Sequence, residues 1–351
     1  MVHQIYVGTW ANDIHTLAFD PETKSLTRIS SLTVGPNPGW LTRDPTDPSI
    51  IYTGLEQADG KIVAVKFDPN GKGTVIGEQS SLGKDPCTLV ASGNTLFVVN
   101  YSSGTFVTIP ISTDSRRLTA PGKISAQFEG SGPRKDRQEA PHPHQVIFHP
   151  DREELLIPDL GSDKLRRLAK SENGEWVQRG DVKYEPGSGP RHVAVYKDKL
   201  YTLLELSKEV TAHRFPALPA EPSFLSKLPT QKTFPPPPAS DEMLAAEILL
   251  PTPNTAFPTP YLYLSNRNDP SPEGDIISIY SVAENLQAAA EVHSGLKHLR
   301  GMVFGGPQNK YLAAGGLNGG GVKVFERVDG GKGLKEVASL DIEKPTHFIW
   351  A

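Results

Sequence analysis

The chain has 351 residues, a formal net charge of −4 from 36 basic and 40 acidic side chains, 37% apolar residues and 22% charged ones. Enough apolar material is present in this length to fill a core, so a disordered chain is excluded, and the absence of a basic block excludes a general binder of nucleic acid or of anionic membranes. The lone Cys87 excludes an intramolecular disulfide and a cysteine-cluster metal site.

Gly and Pro number 32 each, which favours many turns over long helices. The opening MVHQIYVG reads as a strand rather than a signal peptide, and no apolar run approaches the ~20 residues of a membrane helix. The expectation is a cytoplasmic, β-rich chain.

One phrase then recurs along the chain: a Pro- or Gly-led apolar strand, a turn, a second strand ending in a polar residue, a Gly/Asp/Ser turn and a third strand. Copies begin at Pro38 (PGWLTRDPTDPSIIYTGLE), Pro86 (PCTLVASGNTLFVVNY), Pro143 (PHQVIFHPDREELLIPDLG) and Pro190 (PRHVAVYKDKLYTLLELS). A looser copy holds TPYLYLSNRNDPSPEGDIISIYSV, its leading strand falling near 243–250, and a sixth begins at Leu299. A period of roughly 50 residues built from short strands predicts an all-β, seven-bladed β-propeller of four-stranded blades. The seventh copy is split, with 346–350 pairing with the N-terminal QIYVGTW to close the ring and remove its free edges. The whole of 1–351 is expected to form one domain. Residues 130–141, which carry Arg134, Lys135 and Arg137, break the period. So does a Pro-rich stretch at 216–240, read as an extended, polyproline-like surface insertion because proline cannot donate to a sheet ladder.

In a propeller the innermost strands line the central channel, so polar residues at strand ends about 50 residues apart converge at its mouth. Glu56, Asn100–Tyr101, Asp159, Glu205 and Asn266–Arg267 end apolar strands; His144, Arg191–His192, Arg300 and His347 open them. The arginines are planar forks suited to carboxylate or phosphate, and His144 and Glu205 suit acid–base work near neutral pH. The pair His142 and His144 could share a strand face with a metal, but Pro143 disturbs the strand and no complete ligand set accompanies them, so no cofactor is expected. Neither GxSxG, HExxH, a P-loop nor GxGxxG occurs.

The run RQEAPHPHQVIFHP, followed by IPDLGSDKL, PGSGPRHVAVY, LYTLLELSKEV and LYLSNR, with YVGTW near the start, resembles the seven-bladed propeller lactonases. These comprise the bacterial-type 6-phosphogluconolactonases and the fungal 3-carboxy-cis,cis-muconate cyclases. The resemblance implies a catalytic set of His144, Arg191, Glu205 and Arg267. Glu56, Asn100, Asp159, His192, Asn266, Arg300 and His347 are expected to bind substrate around it.

The reading adopted is a metal-independent lactonase of the 6-phosphogluconolactonase type acting on an anionic lactone, with His144 or Glu205 as base. A muconate-type cyclase needs the same anion clamp and proton shuttle and remains the alternative. A non-catalytic propeller serving as an interaction platform, with the Pro-rich stretch facing a partner, is the third.

Overall fold

The computed structural model describes residues 1–351, and its only α-helix spans Ala239–Glu242. Twenty-eight strands form seven four-stranded antiparallel sheets. The blades comprise residues 38–80, 86–127, 143–183, 190–229, 244–293, 297–340, and finally 345–350 with 3–33. In the last of these Pro345–Trp350 pairs with His3–Thr9, Val7 facing Phe348, so the expected closure of the ring by its two ends is borne out.

Burial follows position in the blade. The second strand of the first blade, IIYTGL (Ile50–Leu55), is buried throughout, whereas its outermost strand Gly73–Ser80 is exposed or half-buried beyond Gly73. A strand packed on both faces carries a continuous apolar run, and one at the rim admits polar residues. The core is accordingly not one mass but a set of clusters. One of them joins Ile5, Val7, Leu17, Phe19 and Phe348 to Tyr311, Val322 and Val324 of the preceding blade. Another joins Ile50, Tyr52 and Ile62 to Leu89, Leu96 and Val98 of the following one.

The Pro-rich stretch departs from expectation. Its central SFLSKLP (Ser223–Pro229) is the outermost strand of the fourth blade, paired with Glu209–Arg214. The prolines flank this segment rather than interrupt it, so its amides remain free to pair. Buried Arg167 fastens the approach, donating to the carbonyls of Pro216 at 2.8 Å and Ala220 at 3.2 Å while its own charge is met by Glu154. Phe224 and Leu225 of this strand stay 60% and 45% exposed.

Candidate active site

The same irregularity appears where the innermost strand of each blade begins. Pro38 lies opposite Leu55 and Trp40 opposite Gly54, so Gly39 has no partner and forms a bulge. Equivalent shifts leave out Cys87 after Pro86, Arg191 after Pro190, Arg300 after Leu299, and Ala246–Glu247 after Ala245. In the third blade the isolated bridge between Pro143 and Asp159 puts His144 at the matching place. A bulge re-aims the extra residue and its neighbour. Gly39, Cys87, His144, Arg191, Glu247 and Arg300 therefore reach the channel, together with Trp40, Thr88 and His192, which follow three of them.

A second ring of residues comes from the returning strands. Leu55, Asn100, Asp159, Leu204 and Asn266 oppose the leading residues of their blades, and the residue after each is Glu56, Tyr101, Leu160, Glu205 or Arg267. Trp10, which follows Thr9, holds this place in the closing blade. Glu56, Tyr101, Glu205, Arg267 and Trp10 line a cavity of about 420 Å³, together with Arg137, His144 and Arg300 among others.

Glu205 is the hub. Its Oε2 lies 2.8 Å from Arg191 Nε and 2.9 Å from Arg267 Nη2, and its Oε1 accepts from Arg137 Nη2 at 2.6 Å. Burial works to raise its pKa, but the three guanidiniums overcome that and hold it at about 2. Glu56 is the opposite case. Burial lifts its carboxyl above the ordinary 4.5, only partly offset by Arg300 at 3.6 Å and by the Trp10 indole N–H donating at 3.2 Å. Arg300 lies over the Trp10 ring, 4.2 Å from its centre, which fixes the fork beside Glu56. Room for that carboxylate depends on Gly39, where a Cβ would stand 2.0 Å from Glu56 Oε1.

Burial, then the positive charge of Arg191, lowers the His144 pKa well below 6.5, so the ring is neutral, and its Nδ1 is buried without a hydrogen-bond partner. Deeper in the channel His192 pairs through Nδ1 with Glu247 Oε1 at 2.7 Å, its Nε2 3.2 Å from Arg191 Nη1. His347 stacks on Trp40 at 3.8 Å and accepts the Leu41 amide on Nδ1 at 3.3 Å.

The expected catalytic set thus converges: His144, Glu205 and Arg267 line the cavity, and Arg191 stands directly behind Glu205. Glu56 and Arg300, expected as substrate contacts, line it as well. Other expected contacts are placed elsewhere. Asn100 donates to Ser81 O, in the connection from the preceding blade, and to Thr105 Oγ1 of its own blade, both at 2.9 Å. Asp159 pairs with Arg166 at 2.7 Å and accepts the His142 amide, and Asn266 is bonded to Thr230. All three sit one residue before the cavity-facing position, on the opposite parity of the strand. His192 and His347 lie below the cavity floor, where they meet Glu247 and Trp40 rather than the open space. Both histidines of the candidate metal pair pack on Tyr101, His142 stacked at 4.3 Å with its Nε2 3.2 Å from Glu139, and His144 edge-on at 5.4 Å.

Arg137, Trp10 and Glu247 were missed, and Tyr101, noted as a strand end beside Asn100, was left out of the expected contacts. Trp10 and Tyr101 occupy the same repeat position as Glu56 and Glu205, a signal present in the sequence. Glu247 is the counterpart of His192 in a blade whose leading proline is replaced by Ala245. Arg137 lies outside the repeat.

Comparison with known proteins places the chain in a family. A relative from Arthroderma benhamiae named "Probable 6-phosphogluconolactonase" is 31% identical over 98% of this chain and 88% of its own. The 6-phosphogluconolactonase of Formosa agariphila is 28% identical over 93% and 94%. The periplasmic gluconolactonase of Pseudomonas aeruginosa superposes with a TM-score of 0.85 over 100% of this chain and 99% of that one; at 22% identity this is a likeness of fold. The family described as "Lactonase, 7-bladed beta-propeller" matches residues 4–350, and the chain belongs to that family.

Proposed function

We propose that this chain hydrolyses an anionic sugar lactone of the 6-phosphogluconolactone type in the cavity around Glu205, without a metal. The observation that carries the reading is the pairing of Glu56, a carboxyl pushed above its usual range, with the Arg300 fork 3.6 Å away in that cavity. A base and an electrophile side by side are what ester hydrolysis requires.

In this mechanism Glu56 takes a proton from water as the water oxygen bonds to the lactone carbonyl carbon. The carbonyl oxygen becomes an oxyanion, stabilised by Arg300 and Arg267. The ring C–O bond then breaks, the departing alkoxide receives a proton from Glu56, and the acid product ionises, releasing one proton. Glu205 is a poor base at about 2 and serves to hold Arg191, Arg267 and Arg137 in place. Neutral His144 lines the cavity, where its ring can contact the substrate, while its Nδ1 is buried and unpartnered.

Supporting the phosphorylated-lactone reading are the three guanidiniums that line the cavity and the names of the two relatives above. The test is to assay the purified chain on 6-phosphogluconolactone and on 3-carboxy-cis,cis-muconate side by side. Hydrolysis of the first supports the reading. Cyclisation of the second alone would transfer the same clamp to lactone formation.

A further inference from the structure

The four arginines around Glu205 and Glu56 differ in depth. Side-chain exposure is 3% for Arg191, 5% for Arg267, 13% for Arg300 and 30% for Arg137. The first three come from blade strands; Arg137 comes from the segment between the second and third blades that interrupts the repeat.

That segment is built to a fixed shape. Gln138 is fully buried and donates its amide to Leu160 O and Asp163 Oδ1, both at 2.8 Å, while its backbone carbonyl accepts the Gly132 amide at 2.9 Å. Asp163 in turn accepts the amides of Gly187 and Gly189, each at 2.8 Å, which ties the segment to the loop that precedes Arg191. The result is a guanidinium held over the opposite oxygen of Glu205 from the one that Arg191 and Arg267 share.

The charge arrangement points outward. The cavity is lined by three arginines, Arg137, Arg267 and Arg300, and three acids, Glu56, Asp85 and Glu205. Arg191 behind Glu205 supplies one cation more. Arg300 adjoins Glu56, where the carbonyl is attacked, and Arg191 and Arg267 are buried against Glu205, so a second anionic group on the substrate meets Arg137, the most exposed of the four. We propose that Arg137 is the specificity residue of this site, selecting lactones that carry a second anionic group several bonds from the reacting carbonyl. This rests on the lactonase reading above and adds which end of the substrate the inserted segment grips.

The test compares three lactones of one carbon skeleton whose C6 is uncharged, a carboxylate or a phosphate: glucono-δ-lactone, glucarolactone and 6-phosphogluconolactone. Removing Arg137 also frees one oxygen of Glu205, a loss common to all three, so the readout is the ratio of kcat/KM between charged and uncharged substrates. Arg137→Ala is expected to reduce that ratio roughly 10- to 100-fold, the value of a charge-assisted hydrogen bond, chiefly through KM. Arg137→Lys, which keeps the charge without the fork, should fall between. A fall for the phosphate alone assigns a phosphate grip, and a fall for both charged lactones assigns an anion grip. An equal loss on all three overturns the proposal. If the wild-type chain hydrolyses none of them, the lactonase reading fails instead. Calorimetric binding of 6-phosphogluconate against gluconate, with and without Arg137, then decides the grip by itself.

Discussion

Replacing Glu205 with Gln removes one negative charge from a point where three guanidiniums meet, two of them, Arg191 and Arg267, almost wholly buried. The size of the effect can be worked two ways. Moving a carboxyl from its ordinary 4.5 to about 2 corresponds to about 3 kcal/mol at 1.36 kcal/mol per unit. Removing one partner of a buried ion pair costs about 3–5 kcal/mol because the other charge is left uncompensated. The two agree, and for a chain of this length such a loss is roughly 4–7 °C in Tm. The pH dependence has a definite sign. A depressed carboxyl contributes stability that is fully present above its unfolded value near 4.5 and lost as pH falls through about 2. Thermal melts of wild type and Glu205→Gln at pH 7, 4.5 and 3 should therefore show a gap that holds down to about 4.5 and narrows at 3. Equal melting temperatures at pH 7, or a gap that ignores pH, would refute the view of Glu205 as the charge hub.

Glu56→Gln should lower kcat by roughly 10²–10⁴, the usual contribution of a proton-transfer group, with little change in Tm. In the wild type, activity should rise with pH through the raised Glu56 pKa, and that acid limb, read from a kcat/KM profile, should vanish in the variant. Gly39→Ala would push a methyl into Glu56 Oε1 and should reproduce part of the same kcat loss in steady-state assays. Chelator should leave turnover unchanged; loss in EDTA restored by a divalent ion would bring metal chemistry to the site.

Much of this was legible in the chain because a propeller writes its site once per blade. In five of the seven blades a proline marks the start of the innermost strand, and the next residue is the one that leaves the ladder, as His144 and Arg191 show; Leu299 takes the proline's place before Arg300. The failures follow from parity. Asn100, Asp159 and Asn266 are polar strand ends, but they match Leu55 and Leu204, which pack inside their blades; the channel position is one residue later. Reading the copies in register would have chosen Tyr101 over Asn100 at that strand end and brought in Trp10. Glu205 and Glu56 are indistinguishable by position, and only the arginine count around each separates a weak base from a strong one. Arg137 had no register to betray it, since its segment has no counterpart in the other blades. The outer strand Ser223–Pro229 was hidden because prolines on both sides mask a short run able to pair.

The most direct test of the central claim is the initial rate of proton release when purified wild type and Glu56→Gln are each mixed with 6-phosphogluconolactone at neutral pH. Wild type is predicted to exceed the spontaneous rate by orders of magnitude and the variant to fall back toward it. Release at the spontaneous rate in both, or an undiminished rate in the variant, would contradict the account.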